Sequence, residues 1–161
     1  MTVLSGRTLS DLNKRGAPIV RPFNERTRSH GMTYGVGPAG YDIRIREKMR
    51  LDCGQFRLGS SIESFTMPAD VIGFVYDKST WARRGLSLFN TVIEPGWTGF
   101  LTLELINHGR EALWIDDGMP IAQIVFHYLD EEAVAYEGKY QNQPALPVPA
   151  IHEEAYEVRD L

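Results

Sequence analysis

Between Gly40 and Tyr128 the chain is cut into short apolar runs by turn signals at close spacing. Gly40-Tyr41-Asp42-Ile43-Arg44-Ile45 alternates and reads as a strand. Ile62, Ser64 and Thr66 are strand-like, Met67-Pro68-Ala69-Asp70 is a turn, and Val71 to Tyr76 is a buried strand. Phe100 to Ile106 is another strand, with Asn107-His108-Gly109 read as a hairpin turn after it. Leu113-Trp114-Ile115 follows, then the turn Asp116-Asp117-Gly118. The last strand runs from Ile121 to Tyr128, and Pro120 stands before its hydrogen-bonding core, where proline is tolerated. Many short strands with turns between them predict an all-β sandwich or barrel.

Outside this block the signals differ. Leu4, Leu9 and Leu12 predict one side of a short amphipathic helix that Gly16 and Pro18 stop. Residues 21 to 40 carry Gly31, Gly35, Gly37, Gly40 and Pro38 and read as a solvated loop with Arg21, Arg26 and Arg28 on it. The segment Gly35 to Asp42 is not a phosphate loop, because it lacks Gly-Lys-Ser/Thr. Tyr136 to Gln143 reads by itself as a loop, Pro144 to Pro149 favours extended, polyproline-like chain, and the acidic end from Ile151 fits a short helix or strand.

Composition narrows the function. With 161 residues the chain is the size of one domain with a sizeable core, 43% hydrophobic and 24% charged. A net charge of −4 gives no broad basic face for nucleic acid. One cysteine, Cys53, permits no intrachain disulfide and predicts an intracellular, cytoplasmic home. It reads as a small core or surface residue rather than a nucleophile. No long apolar run or signal-like start points to a membrane or to secretion. His30, His108, His127 and His152 are scattered, so no zinc spacing exists.

The densest chemistry lies between Asp77 and Glu104. Lys78-Ser79-Thr80 opens a short helix, Arg83 and Arg84 stand one turn on, and Gly85 stops it. Free N–H groups, two hydroxyls and a lysine together suit phosphate, while Ser79 and Thr80 also suit a plain helix cap. Asn90 to Ile93 is a strand end, and Glu94-Pro95-Gly96-Trp97 carries a Pro-Gly turn. Glu104 stands in an apolar run. If it faces inward it is partly desolvated, which raises a carboxyl pKa and makes it a usable proton carrier. Thr102, Glu104 and Ile106 share a mixed face, so alternation leaves inward and outward both open.

This stretch resembles the dCTP deaminases of the trimeric dUTPase superfamily. Their signature is a basic residue followed by Ser-Ser-x-Ala-Arg-x-Gly-Leu, and here it is Lys78-Ser79-Thr80-Trp81-Ala82-Arg83-Arg84-Gly85-Leu86. Their Ile-Asp-Pro-Gly-Trp/Phe-x-Gly block, before a strand ending Leu-Glu, is matched by Ile93 to Gly99 and Leu103-Glu104. The resemblance extends to Asp42 and Arg44, to the segment from Glu63 to Gly73, and to a Lys-Tyr-x-x-Gln block at Lys139-Tyr140 and Gln143. It implies a distorted β jelly roll of the dUTPase-like β-clip type. Residues 1–161 would be one domain assembled as a homotrimer, with 136–161 a tail that covers bound nucleotide. Asp42 and Arg44 share a strand face near the subunit interface and active site, where an ion pair is expected.

The implied activity is hydrolytic deamination of a deoxycytidine nucleotide, dCTP to dUTP and ammonia. Zinc deaminases need a cysteine pair that one cysteine cannot supply, so the route is metal-free, with magnesium carried on the triphosphate. The resemblance makes Glu104 the proton shuttle and lets Ser79 and Arg83 position water and carboxylate. Lys78, Thr80 and Lys139 would hold phosphates. Backbone groups at Asn90, Thr91 and Val92 would read the pyrimidine, Glu94 would lie near the sugar, and Tyr136 and Gln143 would contact the nucleotide. A dUTPase activates water with the aspartate where this chain has Glu94 and has no glutamate at the place of Glu104. A bifunctional enzyme that releases dUMP, and an idle nucleotide-binding regulator, are the other readings. Lys78 replaces an arginine, Glu94 replaces an aspartate, and Leu86 to Val92 is slightly short, which leaves phosphate count and base modification open.

Overall fold

The computed structural model describes residues 2–153. Its elements in order are β1 (Thr2–Val3), α1 (Gly6–Lys14), β2 (Val20–Arg21), β3 (Thr27–Ser29), β4 (Met32–Gly37), β5 (Gly40–Arg44), β6 (Met49–Leu51) and β7 (Phe56–Thr66). They continue as β8 (Val71–Asp77), α2 (Ser79–Ala82), β9 (Leu86–Leu88), β10 (Val92–Ile93), β11 (Thr98–Asn107), β12 (Leu113–Ile115) and β13 (Pro120–Tyr128). A seven-stranded sheet runs β10-β8-β13-β5-β4-β3, with β1 also paired to the end of β13. A four-stranded sheet runs β2-β7-β11-β9, and β12 pairs with β6. The fold is therefore mostly β with short helices.

Alternation explains the packing. Along β11, Leu101, Leu103, Leu105 and Asn107 are buried, while Thr102, Glu104 and Ile106 are half-exposed. Leu103 and Leu105 meet Ile43, Ile124 and Phe126 from the other sheet in one core. Truncating such a side chain to alanine costs about 2–5 kcal/mol, because a cavity adds to the lost transfer energy. In α1, Leu9 is buried and Ser5 caps the start by accepting from the Thr8 N–H.

Two local readings are corrected. Residues 21 to 40 are not simply a loop: β3 and β4 form a hairpin and join the large sheet through β5. Its two-residue turn, His30-Gly31, has positive φ at both positions, 51° and 73°. That is the turn a right-twisted hairpin favours, and a histidine in its first position hid it. Asn107-His108-Gly109 is not a hairpin, because β12 leaves β11 to pair with β6. Asn107 is buried and ties the turn instead, donating to the carbonyls of Leu51 and Glu111 and accepting from Gly109 N–H.

Asp42 and Arg44 do form ion pairs, but each finds a partner elsewhere in the chain. Arg44 Nε lies 2.8 Å from Oε1 of the buried Glu63, and Lys78 Nζ lies 2.6 Å from Asp42 Oδ2. Glu63 belongs to a polar bulge. The register of β7 on β11 shifts between Phe100 and Thr102. There Leu101 N–H donates to Ser61 Oγ, and Ser61 Oγ donates to the Glu63 carbonyl. Bulges increase local twist and re-aim the residues beside them. Here Thr102 and Glu104 follow the bulge on one face of β11.

Candidate active site

Two clefts receive most of the expected site residues. The larger has a volume of about 520 Å³, within the range of a small-molecule site. Asn90, Thr91, Val92, Glu94, Glu104, Tyr136 and Gln143 all line it. Its remaining wall includes Phe56, Leu58, Val75, Trp97 and Leu101, so a few polar groups stand in an apolar surround.

Glu104 faces this cavity because its neighbours Leu103 and Leu105 take the core side of β11. Partial burial pushes its carboxyl pKa above the ordinary glutamate value. Among the described residues nothing donates a hydrogen bond to that carboxylate or pairs with it. A half-buried carboxylate without a protein partner is suited to exchange protons with something placed beside it.

Local chain path explains how Asn90 to Val92 reach the site. Strand β9 ends on β11, and Phe89 N–H still donates to the Glu104 carbonyl. The chain then crosses to the other sheet, where β10 pairs with β8. Asn90 pins the crossing. Its Oδ1 accepts from Glu104 N–H at 3.1 Å and its Nδ2 donates to the Thr102 carbonyl at 2.7 Å. The Asn90 side chain is thus occupied in positioning.

The tail is part of the wall. Trp97 Nε1 donates to the Tyr140 carbonyl at 2.6 Å, and Gln141 Oε1 accepts from Thr98 N–H at 2.8 Å. Gln141 Nε2 donates to the carbonyls of Gly96 and Tyr136. Backbone bonds from Phe100 N–H to the Gln143 carbonyl and from Asn142 N–H to the Thr98 carbonyl extend the start of β11. Gly99 makes this possible: its φ is 135°, and a Cβ there would lie 2.6 Å from Gln143 N. Trp97, Thr102, Gln141 and Gly99 were not assigned roles from sequence. Trp97 and Gly99 stand inside the quoted motif, but a role defined by a partner some 43 residues on leaves no local signal.

The signature residues before Gly85 lie elsewhere. Lys78 and Ser79 line a second cleft of about 270 Å³ with Arg26, Tyr34, Asp42 and Asp77. Lys78 is also the N-cap residue of α2, and its side chain, 9% exposed, is committed to Asp42. Ser79, Thr80 and Arg83 are exposed, and neither Thr80 nor Arg83 lines either cleft. Lys139 is exposed, over the Tyr140 ring at 5.4 Å, and does not line the large cavity. One chain therefore gathers Asn90 to Val92, Glu94, Glu104, Tyr136 and Gln143 around one cavity and leaves the Ser79 group apart. Among the described residues no cluster of three or more histidine, cysteine, aspartate or glutamate side chains is placed to hold a metal. Nor is any helix there long and apolar enough to cross a membrane.

Residues 41–129 match the dCTP deaminase-like family. The chain belongs to that family. The dCTP deaminase of Acidobacterium capsulatum is 28% identical over 94% of this chain and 100% of its own. That of Nautilia profundicola is 30% identical over 83% of this chain and 90% of its own. Among solved structures, the 2'-deoxycytidine 5'-triphosphate deaminase of Agrobacterium tumefaciens superposes with a TM-score of 0.65 at 17% identity, over 80% of this chain and 49% of that one. The EIAV dUTPase gives 0.56 at 16% identity, over 76% and 97%. At these identities the structures speak for the fold alone: it is the one that dCTP deaminases and dUTPases share. The family match spans β5 to β13 and so contains Lys78, Glu94 and Glu104, while Tyr136, Lys139 and Gln143 lie beyond it.

Proposed function

We propose that this protein hydrolytically deaminates a deoxycytidine nucleotide, dCTP in the first instance, giving dUTP and ammonia. The observation that carries the reading is Glu104: a half-buried carboxylate with a raised pKa and no partner among the described residues, facing a nucleoside-sized cavity in a member of the dCTP deaminase-like family. With the pyrimidine in that cavity, Glu104 takes a proton from water as the oxygen attacks C4. It passes that proton to N3, then takes the proton of the new C4 hydroxyl and gives it to the amine. The C4–N bond then breaks, ammonia leaves, and a carbonyl remains at C4. Backbone groups of Asn90 to Val92 hold the base, Glu94 lies toward the sugar, and Tyr136 closes the wall.

In this proposal Ser79, Arg83, Lys78 and Thr80 act on a nucleotide held by a neighbouring copy, in a homotrimer whose sites are shared. The separation of the Ser79 cleft from the Glu104 cavity supports sharing, and so do the exposed Phe56 and Phe89. Lys139 serves the phosphates from the tail. Magnesium travels on the nucleotide phosphates as part of the substrate.

A second reading has its own observation. Glu94 lines the same cavity as Glu104. A carboxylate at each place suits an enzyme that also cleaves the triphosphate, releasing dUMP and diphosphate. Chromatography of the products from dCTP, with ammonia measured beside it, tests both. dUTP and ammonia support deamination, dUMP with diphosphate supports the bifunctional reading, and the absence of ammonia removes deamination.

A further inference from the structure

The cleft that holds Lys78 and Ser79 is also lined by Arg26, which stands just before β3 and precedes the residues that match the family. Arg26 is exposed and takes no ion pair or hydrogen bond among the described residues. The carboxylates of the cleft are engaged. Lys78 Nζ lies 2.6 Å from Asp42 Oδ2, and Asp77 Oδ1 accepts the Leu88 N–H at 2.8 Å. Lys78 and Asp42 cancel as charges, so their pair by itself offers an anion little net attraction. An arginine without a carboxylate keeps its guanidinium fork available, and that fork matches phosphate oxygens two at a time.

The fold holds Arg26 in this place. Asn24 N–H donates to the Tyr41 hydroxyl at 2.8 Å, and Val36 N–H donates to the Asn24 carbonyl at 3.0 Å. Gly35 lets the segment lie directly on β4: its φ is 86°, and a Cβ there would stand 2.6 Å from the carbonyl oxygens of both Asn24 and Glu25. Beside Arg26, Thr27 pairs with Tyr34. The Tyr34 ring forms another part of the cleft wall and is backed by the Arg44 guanidinium, 4.3 Å from its centroid, which Glu63 holds in turn. The cleft thus has an unpaired guanidinium on a fixed support.

We infer that Arg26 is a phosphate-binding residue: with Ser79 it holds the triphosphate of the nucleotide and supplies the net positive charge that the Lys78–Asp42 pair withholds. The inference rests on the proposed reading of this cleft as the phosphate side of a site shared with a neighbouring copy. A triphosphate carries several negative charges, and magnesium offsets only part of them. One unpaired guanidinium therefore makes an otherwise balanced cleft attractive to it. The contact belongs to the β3-β4 hairpin, ahead of the residues that match the family.

The test uses wild type, Arg26→Gln, Arg26→Lys and, as a control of equal charge change, Arg21→Gln, since Arg21 is exposed on β2 in the other sheet. Calorimetry measures the binding of inorganic triphosphate with magnesium. Ammonia release gives KM for dCTP and the inhibition constant of deoxycytidine, which has no phosphate. Arg26→Gln should weaken triphosphate binding and raise KM for dCTP by about ten- to a hundredfold, the effect of losing a hydrogen bond to a charged group. Deoxycytidine should inhibit as before. Arg26→Lys keeps the charge without the fork and should recover part of the loss. Arg21→Gln should behave as wild type. An equal loss in Arg21→Gln would mean that only the general field matters, and an equal loss for deoxycytidine that Arg26 shapes the fold. Either result overturns the inference. Ammonia release and triphosphate binding that are indifferent to Arg26→Gln also overturn it, and leave deamination standing. Triphosphate binding that depends on Arg26, without ammonia from dCTP, would keep the phosphate contact and bring down the deaminase reading instead.

Discussion

Asn90 and Glu104 are joined through the backbone of one and the side chain of the other: Asn90 Oδ1 accepts the Glu104 N–H at 3.1 Å. The crossing segment that lines one wall of the cavity is thus measured off from the strand that carries the proposed proton carrier. Moving either moves both.

The first prediction concerns Glu104 itself. Glu104→Gln keeps the size but removes the exchangeable proton, so kcat should fall by about 10²–10⁴-fold while nucleotide binding survives. Ammonia release beside a binding titration checks it. Activity within a few-fold of wild type would remove Glu104 from the mechanism, and loss of binding as well would make it structural.

Its pH dependence has a definite sign. Burial raises the Glu104 pKa, so the acidic limb of kcat/KM should lie above the ordinary glutamate value. Activity is then lost as pH falls through that raised value, because the carboxylate must be ionised to accept water's proton. Stability runs the other way. A raised folded-state pKa means that the contribution of the protonated form is present at low pH and lost as pH rises through the folded value. Glu104→Gln should therefore melt at or above the wild-type temperature at neutral pH, with the gap closing in acid. A melting temperature that falls at neutral pH would contradict this.

Lys78 and Asp42 form a pair with side chains 9% and 14% exposed. Asp42→Ala leaves the lysine buried without its partner and should cost on the order of 3 kcal/mol. Replacing both, with Lys78→Met and Asp42→Leu, should recover much of that loss. Thermal melts of the three variants decide it, and a double variant as unstable as the single one would show that the pair is more than a packing unit.

The tail predicts a matched set. Truncation after Gly138 removes Tyr140, Gln141 and Gln143 and should raise KM steeply. Gly99→Ala should reproduce much of that effect, because its Cβ meets Gln143 N at 2.6 Å in a strained φ. Trp97 loses its bond to Tyr140 in both, so tryptophan fluorescence should shift to the red. An unchanged KM in both proteins would separate the tail from nucleotide binding.

Shared sites predict complementation. Ser79→Ala and Glu104→Gln, each inactive alone, should regain activity when unfolded together and reassembled. If chains mix at random in a cyclic trimer, about a quarter of the sites join an intact Ser79 to an intact Glu104. Inactivity of the mixture, or a monomer by light scattering, would refute sharing.

The sequence alone determined what depends on near neighbours. The strand from Phe100 to Ile106, the stop at Gly85 and the helix begun at Lys78 were all legible, because backbone sterics and side-chain period act over a few residues. Even the candidate roles of Glu104 and Glu94 came from a local motif. His30-Gly31 escaped only because the turn puts positive φ on a residue type that seldom marks it. What tertiary structure decided were the long-range relations. Lys78 is claimed by Asp42, 36 residues earlier. Gln141 and Tyr140 hold Thr98 and Trp97 across 43 residues, and Thr102 Oγ1 hydrogen-bonds Gln143 Oε1 across 41. Sheet register sets which side chains meet, and register is a property of the assembled strands, so no window of the sequence contains it.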